Sequence, residues 1–174
     1  VQHGGSWRSD FSVFYSNIDG LIERANRRAI YTNFDPVTIS GLEAASSGWV
    51  GQDLYLNFAY TYVDAAEDLP EGGNRQLRSR PKHTAMAEVR YDFPRNVSLA
   101  LSGIYVSGLY DLDPDGVYTR VSSYFVADVK LDWAVSARTG LYLAVSNLGD
   151  KDYVQRIGDP REGRAWVLGL DFEW

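Results

Sequence analysis

Apolar and polar residues alternate with a period of two through most of this chain. Trp166, Leu168, Leu170, Phe172 and Trp174 share one parity, while Val167, Gly169, Asp171 and Glu173 occupy the other. Such alternation marks a strand with two unlike faces. The same pattern runs through Leu54–Tyr62, Ala85–Phe93, Val97–Tyr105, Phe125–Trp133 and Leu141–Val145, and Trp7, Phe11, Val13 and Tyr15 suggest a first strand. The stretch from Ile30 to Ser46 is harder to read because Pro36 interrupts it, and proline is confined to strand edges and ends. About eight strands result, many near the 9–11 residues of a tilted transmembrane strand and longer than the 5–6 usual in soluble sheets.

The polar parity decides which face meets which solvent. Asp128, Lys130 and Asp132 alternate with Phe125, Ala127, Val129, Leu131 and Trp133. A lysine facing lipid at the bilayer midplane costs roughly 2–4 kcal/mol, so these charges belong in a wet interior, where Lys130 can pair with either aspartate. The connections give a separate argument. Short links are expected at Ser47–Gln52, Pro94–Asn96 and Ala137–Thr139, and long polar ones near Asn17–Arg28, Ala65–Arg80, Gly108–Arg120 and Gly149–Gly163. Short and long alternate, as short periplasmic turns and longer outer loops do in outer-membrane barrels. A soluble β-sandwich also alternates apolar and polar positions, but its aromatic-rich faces would need a partner sheet.

Composition sharpens this reading. Aromatic residues make up 14% of the 174 residues, enough for interfacial girdles at both rims of a barrel. No apolar run approaches the roughly 18 residues of a transmembrane helix, which a barrel does not need. A net charge of −6 offers no electrostatic footprint for nucleic acid. The absence of cysteine removes disulfides and thiolate metal sites. No signal peptide follows Val1, so an exported chain is expected to be mature, excised or a fragment.

Three motifs in order resemble the TonB-dependent receptor family. Phe14-Tyr15, Ile18-Asp19-Gly20-Leu21-Ile22, Asn33 and Gly41-Leu42-Glu43 come first. Tyr60-Thr61-Tyr62-Val63-Asp64-Ala65 follows, with Arg80-Pro81-Lys82-His83 opening the next strand. Asn147-Leu148-Gly149-Asp150-Lys151-Asp152-Tyr153, Pro160, Gly163-Arg164 and a terminal strand closing on an aromatic residue complete the set. The resemblance implies an all-β fold, an antiparallel transmembrane β-barrel segment of about eight strands. Residues 1–174 would be the C-terminal part of a barrel of about 22 strands with a plugged lumen. No plug domain or TonB box is present, and about 14 strands of such a barrel would lie outside this chain. The alternative is an eight-stranded structural or adhesive barrel closed on itself, in which the first strand pairs with the eighth. The family's activity implies import of an iron–siderophore, haem or cobalamin-like chelate, powered through TonB acting on the parent's plug. It also implies partners in outer-membrane lipid, lipopolysaccharide and the barrel-assembly machinery. No bound cofactor and no nucleic acid are expected.

Candidate sites lie in the links and at the end. Arg75, Arg78 and Arg80, with Lys82 nearby, suit an anionic, oxygen-rich chelate because guanidinium forks pair two oxygens at once. The alternative is contact with lipopolysaccharide, or plain solubility. Trp166, Leu168, Leu170, Phe172 and Trp174 resemble the assembly signal, a strand read by addition to a sheet edge. Asp111, Asp113, Asp115 and Gly116 start like a calcium loop, but Ser122 stands where a bidentate glutamate would be needed, and Pro114 is unusual there. The alternative is a solvated acidic loop. Arg156, Arg161 and Arg164 with Asp150, Asp152, Asp159 and Glu162 suggest a salt-bridge network at the rim, and Arg24, Arg27 and Arg28 a solvated loop. Catalysis finds little material. The histidines are His3 and His83, and the chain has no Gly-x-Ser-x-Gly elbow, zinc motif or phosphate loop. A lipid-modifying enzyme would require a polar cluster around His83.

Overall fold

The computed structural model describes residues 6–24, 31–33 and 35–173. His3, Arg27, Arg28 and Trp174 lie outside the described residues. In chain order the strands are β1 (Trp7–Ile18), β2 (Ile22–Arg24), β3 (Tyr31–Asn33), β4 (Val37–Val50), β5 (Leu54–Asp68), β6 (Asn74–Gln76), β7 (His83–Phe93) and β8 (Val97–Val106). There follow β9 (Leu109–Leu112), β10 (Tyr118–Val121), β11 (Tyr124–Ser136), β12 (Thr139–Ser146), β13 (Val154–Arg156), β14 (Asp159–Pro160) and β15 (Ala165–Phe172). No helix occurs among the described residues.

One antiparallel sheet carries the fold. Its long strands run in the order β1-β4-β5-β7-β8-β11-β12-β15, with β6 paired to β5. Each long strand therefore lies beside its predecessor among the long strands, as expected of an up-and-down meander. The sheet is open: β1 and β15 are its two edges and do not pair with each other among the described residues. This argues against closure as a small eight-stranded barrel.

Register sorts the side chains into two faces. Across the middle of the sheet, Leu56, Val89, Leu101, Val129, Val145 and Trp166 stand in one cross-strand row, and Leu54, Tyr91, Leu99, Leu131, Leu143 and Leu168 in the next. The opposite face carries Glu88 beside Ser102 and Asp128, and Arg90 beside Ala100 and Lys130. Local ion pairs satisfy this inner face: Arg8–Asp10 at 2.8 Å, Arg90–Asp92 at 2.9 Å and Lys130–Asp132 at 2.7 Å. Lys130 pairs with Asp132, while Asp128 accepts the Asn147 backbone amide.

No second layer of described residues covers the apolar face. Phe125 is 59% exposed, Leu131 40%, Leu168 79% and Phe172 61%. Leaving such side chains in water would forfeit about 1.5–3 kcal/mol each, and over a contiguous face the total exceeds what a soluble domain tolerates. A hydrocarbon surrounding removes that cost.

Three links are short, at 51–53, 94–96 and 137–138, and four are long, at 19–36, 69–82, 107–123 and 147–164. They alternate between the two ends of the sheet. Three long links fold into their own ribbons, β2–β3, β9–β10 and β13–β14, and the fourth places β6 along β5. The buried apolar cluster sits at this end, where Leu77 packs with Val37 and Ala65 beneath Ile18, Leu21, Ile39 and Val63.

Pro36 interrupts the Ile30–Ser46 stretch as expected: β3 ends at Asn33 and β4 begins immediately after the proline. One boundary differs from expectation. The segment expected as a turn from Ser47 is still strand, and β4 continues to Val50. Gly48 is not a turn glycine. The Trp7 ring lies across it, and a Cβ at that position would overlap the ring. The link itself reverses at Gly51, whose φ of +69° suits glycine.

Candidate functional site

The arginine candidates are built on the β5–β6 hairpin at the long-loop end. Register sets Arg75 opposite Glu67, on the same face as the inner charges. Their side chains pair at 2.6 Å, and the Glu67 carboxylate is buried. Arg75 also lies over the Tyr118 ring, 5.6 Å from its centroid, and the Tyr118 hydroxyl donates to the Gln76 carbonyl. Burial pushes the Tyr118 phenol above its ordinary range, opposed by the nearby Arg75 charge. Arg75, Arg78, Glu67 and Tyr118 line a cavity of about 210 Å³. Arg80 instead donates to the Arg78 carbonyl at 3.2 Å and does not line that cavity. Two of the three expected arginines thus share one inward-facing hollow.

The acidic loop is occupied by its own backbone. Asp113 accepts the amides of Asp115 at 3.0 Å and Val117 at 2.8 Å, closing the β9–β10 turn. Asp111 accepts the amides of Leu112 and of Ile157. The three carboxylates do not converge, and no group of three or more potential metal-ligating His, Cys, Asp or Glu side chains gathers among the described residues.

The expected rim network of side-chain ion pairs does not form among the described residues. Asp150 serves a backbone amide instead, accepting from Arg164 at 2.8 Å. The organising residue is Asn147, which the sequence reading noted only as part of a motif. It is buried, with φ +49°, and its amide donates to Asp128 at 2.7 Å. Its side chain accepts from the Lys151 amide and donates to the carbonyls of Lys151 and Glu162. The motif thus holds the long link against the sheet and sets where β15 begins. Trp166, Leu168, Leu170 and Phe172 of β15 all project to the apolar face on an edge strand.

A larger cavity, about 540 Å³, lies between the last two ribbons and is lined by Arg120, Lys151, Asp152, Tyr153 and Arg161. It went unforeseen because residues from two separate links meet there. His83, the candidate for lipid chemistry, is hydrogen-bonded through Nδ1 to the Tyr60 hydroxyl at 2.8 Å and packs against the Tyr62 ring. No carboxylate of a described residue hydrogen-bonds to it, so no catalytic relay assembles.

With this geometry in place, comparison with known proteins is decisive. The profile of the family described as "TonB dependent receptor-like, beta-barrel" matches residues 2–148. The chain belongs to the TonB-dependent receptor family. Among curated relatives, the vitamin B12 transporter BtuB of Photobacterium profundum is 31% identical over 157 residues, covering 84% of this chain and 25% of that protein. Among solved structures, the ferric-catecholate import receptor Fiu of Escherichia coli K12 superposes with a TM-score of 0.78 at 23% identity. The match covers 95% of this chain and 25% of that one. The ferripyoverdine receptor of Pseudomonas aeruginosa gives a TM-score of 0.76 at 14% identity, covering 95% and 25%. These likenesses in shape show that the open sheet has the fold of part of a larger barrel wall. The chain spans about a quarter of the length of the relatives it matches.

Proposed function

We propose that this chain is the C-terminal wall of an outer-membrane receptor that imports a scarce metal chelate in a TonB-dependent manner. The chelate class comprises iron–siderophores, haem and cobalamin-like complexes. Residues 1–174 supply eight strands, four outer loops and, in Trp166, Leu168, Leu170, Phe172 and Trp174, the strand read by the barrel-assembly machinery. The plug through which TonB acts, and the remaining strands, belong to the rest of the parent. The observation that carries this reading is the open sheet with one uncovered apolar face and one charged face. Lipid and lipopolysaccharide meet the first, and the plug meets the second. Ligand contact falls to Arg75 and Arg78, whose hollow lies on the inner side of the loop end, with Arg80 supporting the backbone of that loop.

The test uses the full-length receptor in its own outer membrane. Uptake of radiolabelled chelates is measured with and without a functional TonB, and with Arg78→Ala. Uptake that stops without TonB and weakens in Arg78→Ala, with barrel folding unchanged, supports the reading. Uptake indifferent to TonB refutes it.

A further inference from the structure

A second hollow is lined by residues of the apolar face together with residues of the long links. On the apolar face, Ala85, Tyr105 and Phe125 form the last cross-strand row before the long loops. The next row towards the loops holds His83 and, opposite it, Ser107, whose amide donates to the His83 carbonyl at 2.8 Å. Beyond this row opens a cavity of about 280 Å³, lined by Lys82, His83, Tyr105, Ser107, Arg120 and Ser123 among others. No carboxylate lines it. The Arg120 side chain makes no hydrogen bond or ion pair with any described residue, and the second ring nitrogen of His83 has no such partner either. Lys82 is held at the rim by Asp64, 2.7 Å away.

We infer that this hollow binds a phosphate group of an outer-leaflet lipid. Two cations, an imidazole and hydroxyls converge where the apolar belt ends. A headgroup phosphate seated there leaves its acyl chains to run down over Tyr105 and Phe125, both exposed. A soluble anion would gain nothing from that belt. Hydrocarbon on one side also lowers the local dielectric and strengthens charge-assisted contacts to phosphate oxygens. Arg120 offers a planar fork and Lys82 a point charge, a combination suited to phosphate. This inference rests on the proposed membrane placement, with the long loops on the outer side.

The experiment uses the full-length receptor in nanodiscs, with fluorescent diphosphorylated lipid A as probe. Wild type, Lys82→Gln, Arg120→Gln, Asp64→Asn and Arg138→Gln in the opposite rim are compared. Loss of one charge-assisted contact predicts binding weakened about tenfold in Lys82→Gln and in Arg120→Gln. Asp64→Asn, which releases Lys82, should bind more tightly, and Arg138→Gln should match wild type. Lipid A stripped of its phosphates should bind no better to wild type than to Lys82→Gln. Equal binding of the stripped lipid and the diphosphorylated form overturns the inference, as does Lys82→Gln matching wild type. Competition by inorganic phosphate at concentrations equal to the lipid would reassign the hollow to a free anion. Protease accessibility of the loops in whole cells tests the underlying membrane placement. If the loops are exposed and the variants still bind normally, the hollow alone is disproved.

Discussion

The backbone amide of Asn147 donates to the Asp128 carboxylate across 2.7 Å, tying the start of the last long link to the middle of a strand nineteen positions earlier. Asp128 faces the wet side, where an unpaired carboxylate would repel Glu88 nearby. Asn147 adopts φ +49°, a conformation asparagine tolerates better than most residues. Asn147→Ala should therefore lower barrel stability by about 2–3 kcal/mol, since it strands the Lys151 amide and two carbonyls. Thermal unfolding of the detergent-solubilised receptor, read from the heat-dependent gel shift of folded barrels, measures this. Asn147→Gly keeps the backbone conformation but not the hydrogen bonds, and should be nearly as damaging.

Face assignment is tested on adjacent residues. Leu101 points to the apolar face and Ser102 to the charged one, between Glu88 and Asp128. Leu101→Lys should cost about 2–4 kcal/mol on folding into lipid vesicles. Ser102→Lys should be neutral or stabilising, because two carboxylates flank it. Equal effects of the two substitutions would contradict the register.

The pair Tyr142 and Gly169 forms another test. The Tyr142 ring lies across Gly169, where any Cβ would overlap it, and Lys130 sits 5.2 Å above the same ring. Gly169→Val should destabilise by about 1–3 kcal/mol through overpacking. Tyr142→Ala in the same chain should recover part of that loss, so a double-mutant cycle should return a clear coupling energy.

Tyr118 gives the β5–β6 hairpin a pH signature. Burial raises its folded pKa above the unfolded value, opposed by Arg75. The neutral phenol is the form the fold accepts, so its contribution is complete below the unfolded value, about 10, and is lost as pH climbs through the folded one. Protection of the Gln76 and Leu77 amides, taken relative to their base-catalysed intrinsic exchange rates, should fall over that alkaline range. Tyr118→Phe should remove this fall in protection, although it also loses the hydroxyl bond to Gln76.

Much of the sheet was legible because period-two alternation depends only on neighbouring residues. Seven of the eight long strands follow from parity; β4 does not, because Ser40, Ala44, Ala45, Ser46 and Ser47 blur the contrast between its two faces. Gly48 misled because its role depends on Trp7, a cross-strand neighbour 41 positions away that local spacing does not reveal. The rim carboxylates misled for a related reason. Asp150 and Asp113 look like ion-pair or cation ligands on paper, but unpaired backbone amides in tight turns reach them first. The two hollows beside Arg120 were invisible because each gathers residues from separate links.

The contrast between the two rims of the sheet bears on how such a protein can diversify. Links of two or three residues lock adjacent strands in step, and slipping one by a single residue would turn its greasy side chains into the lumen. Insertions there would be purged. On the opposite rim the ribbons close on themselves through their own pairing, so they can lengthen, shorten or change composition without shifting the wall beneath. New loop shapes and compositions can accordingly evolve on a scaffold whose wall stays constant.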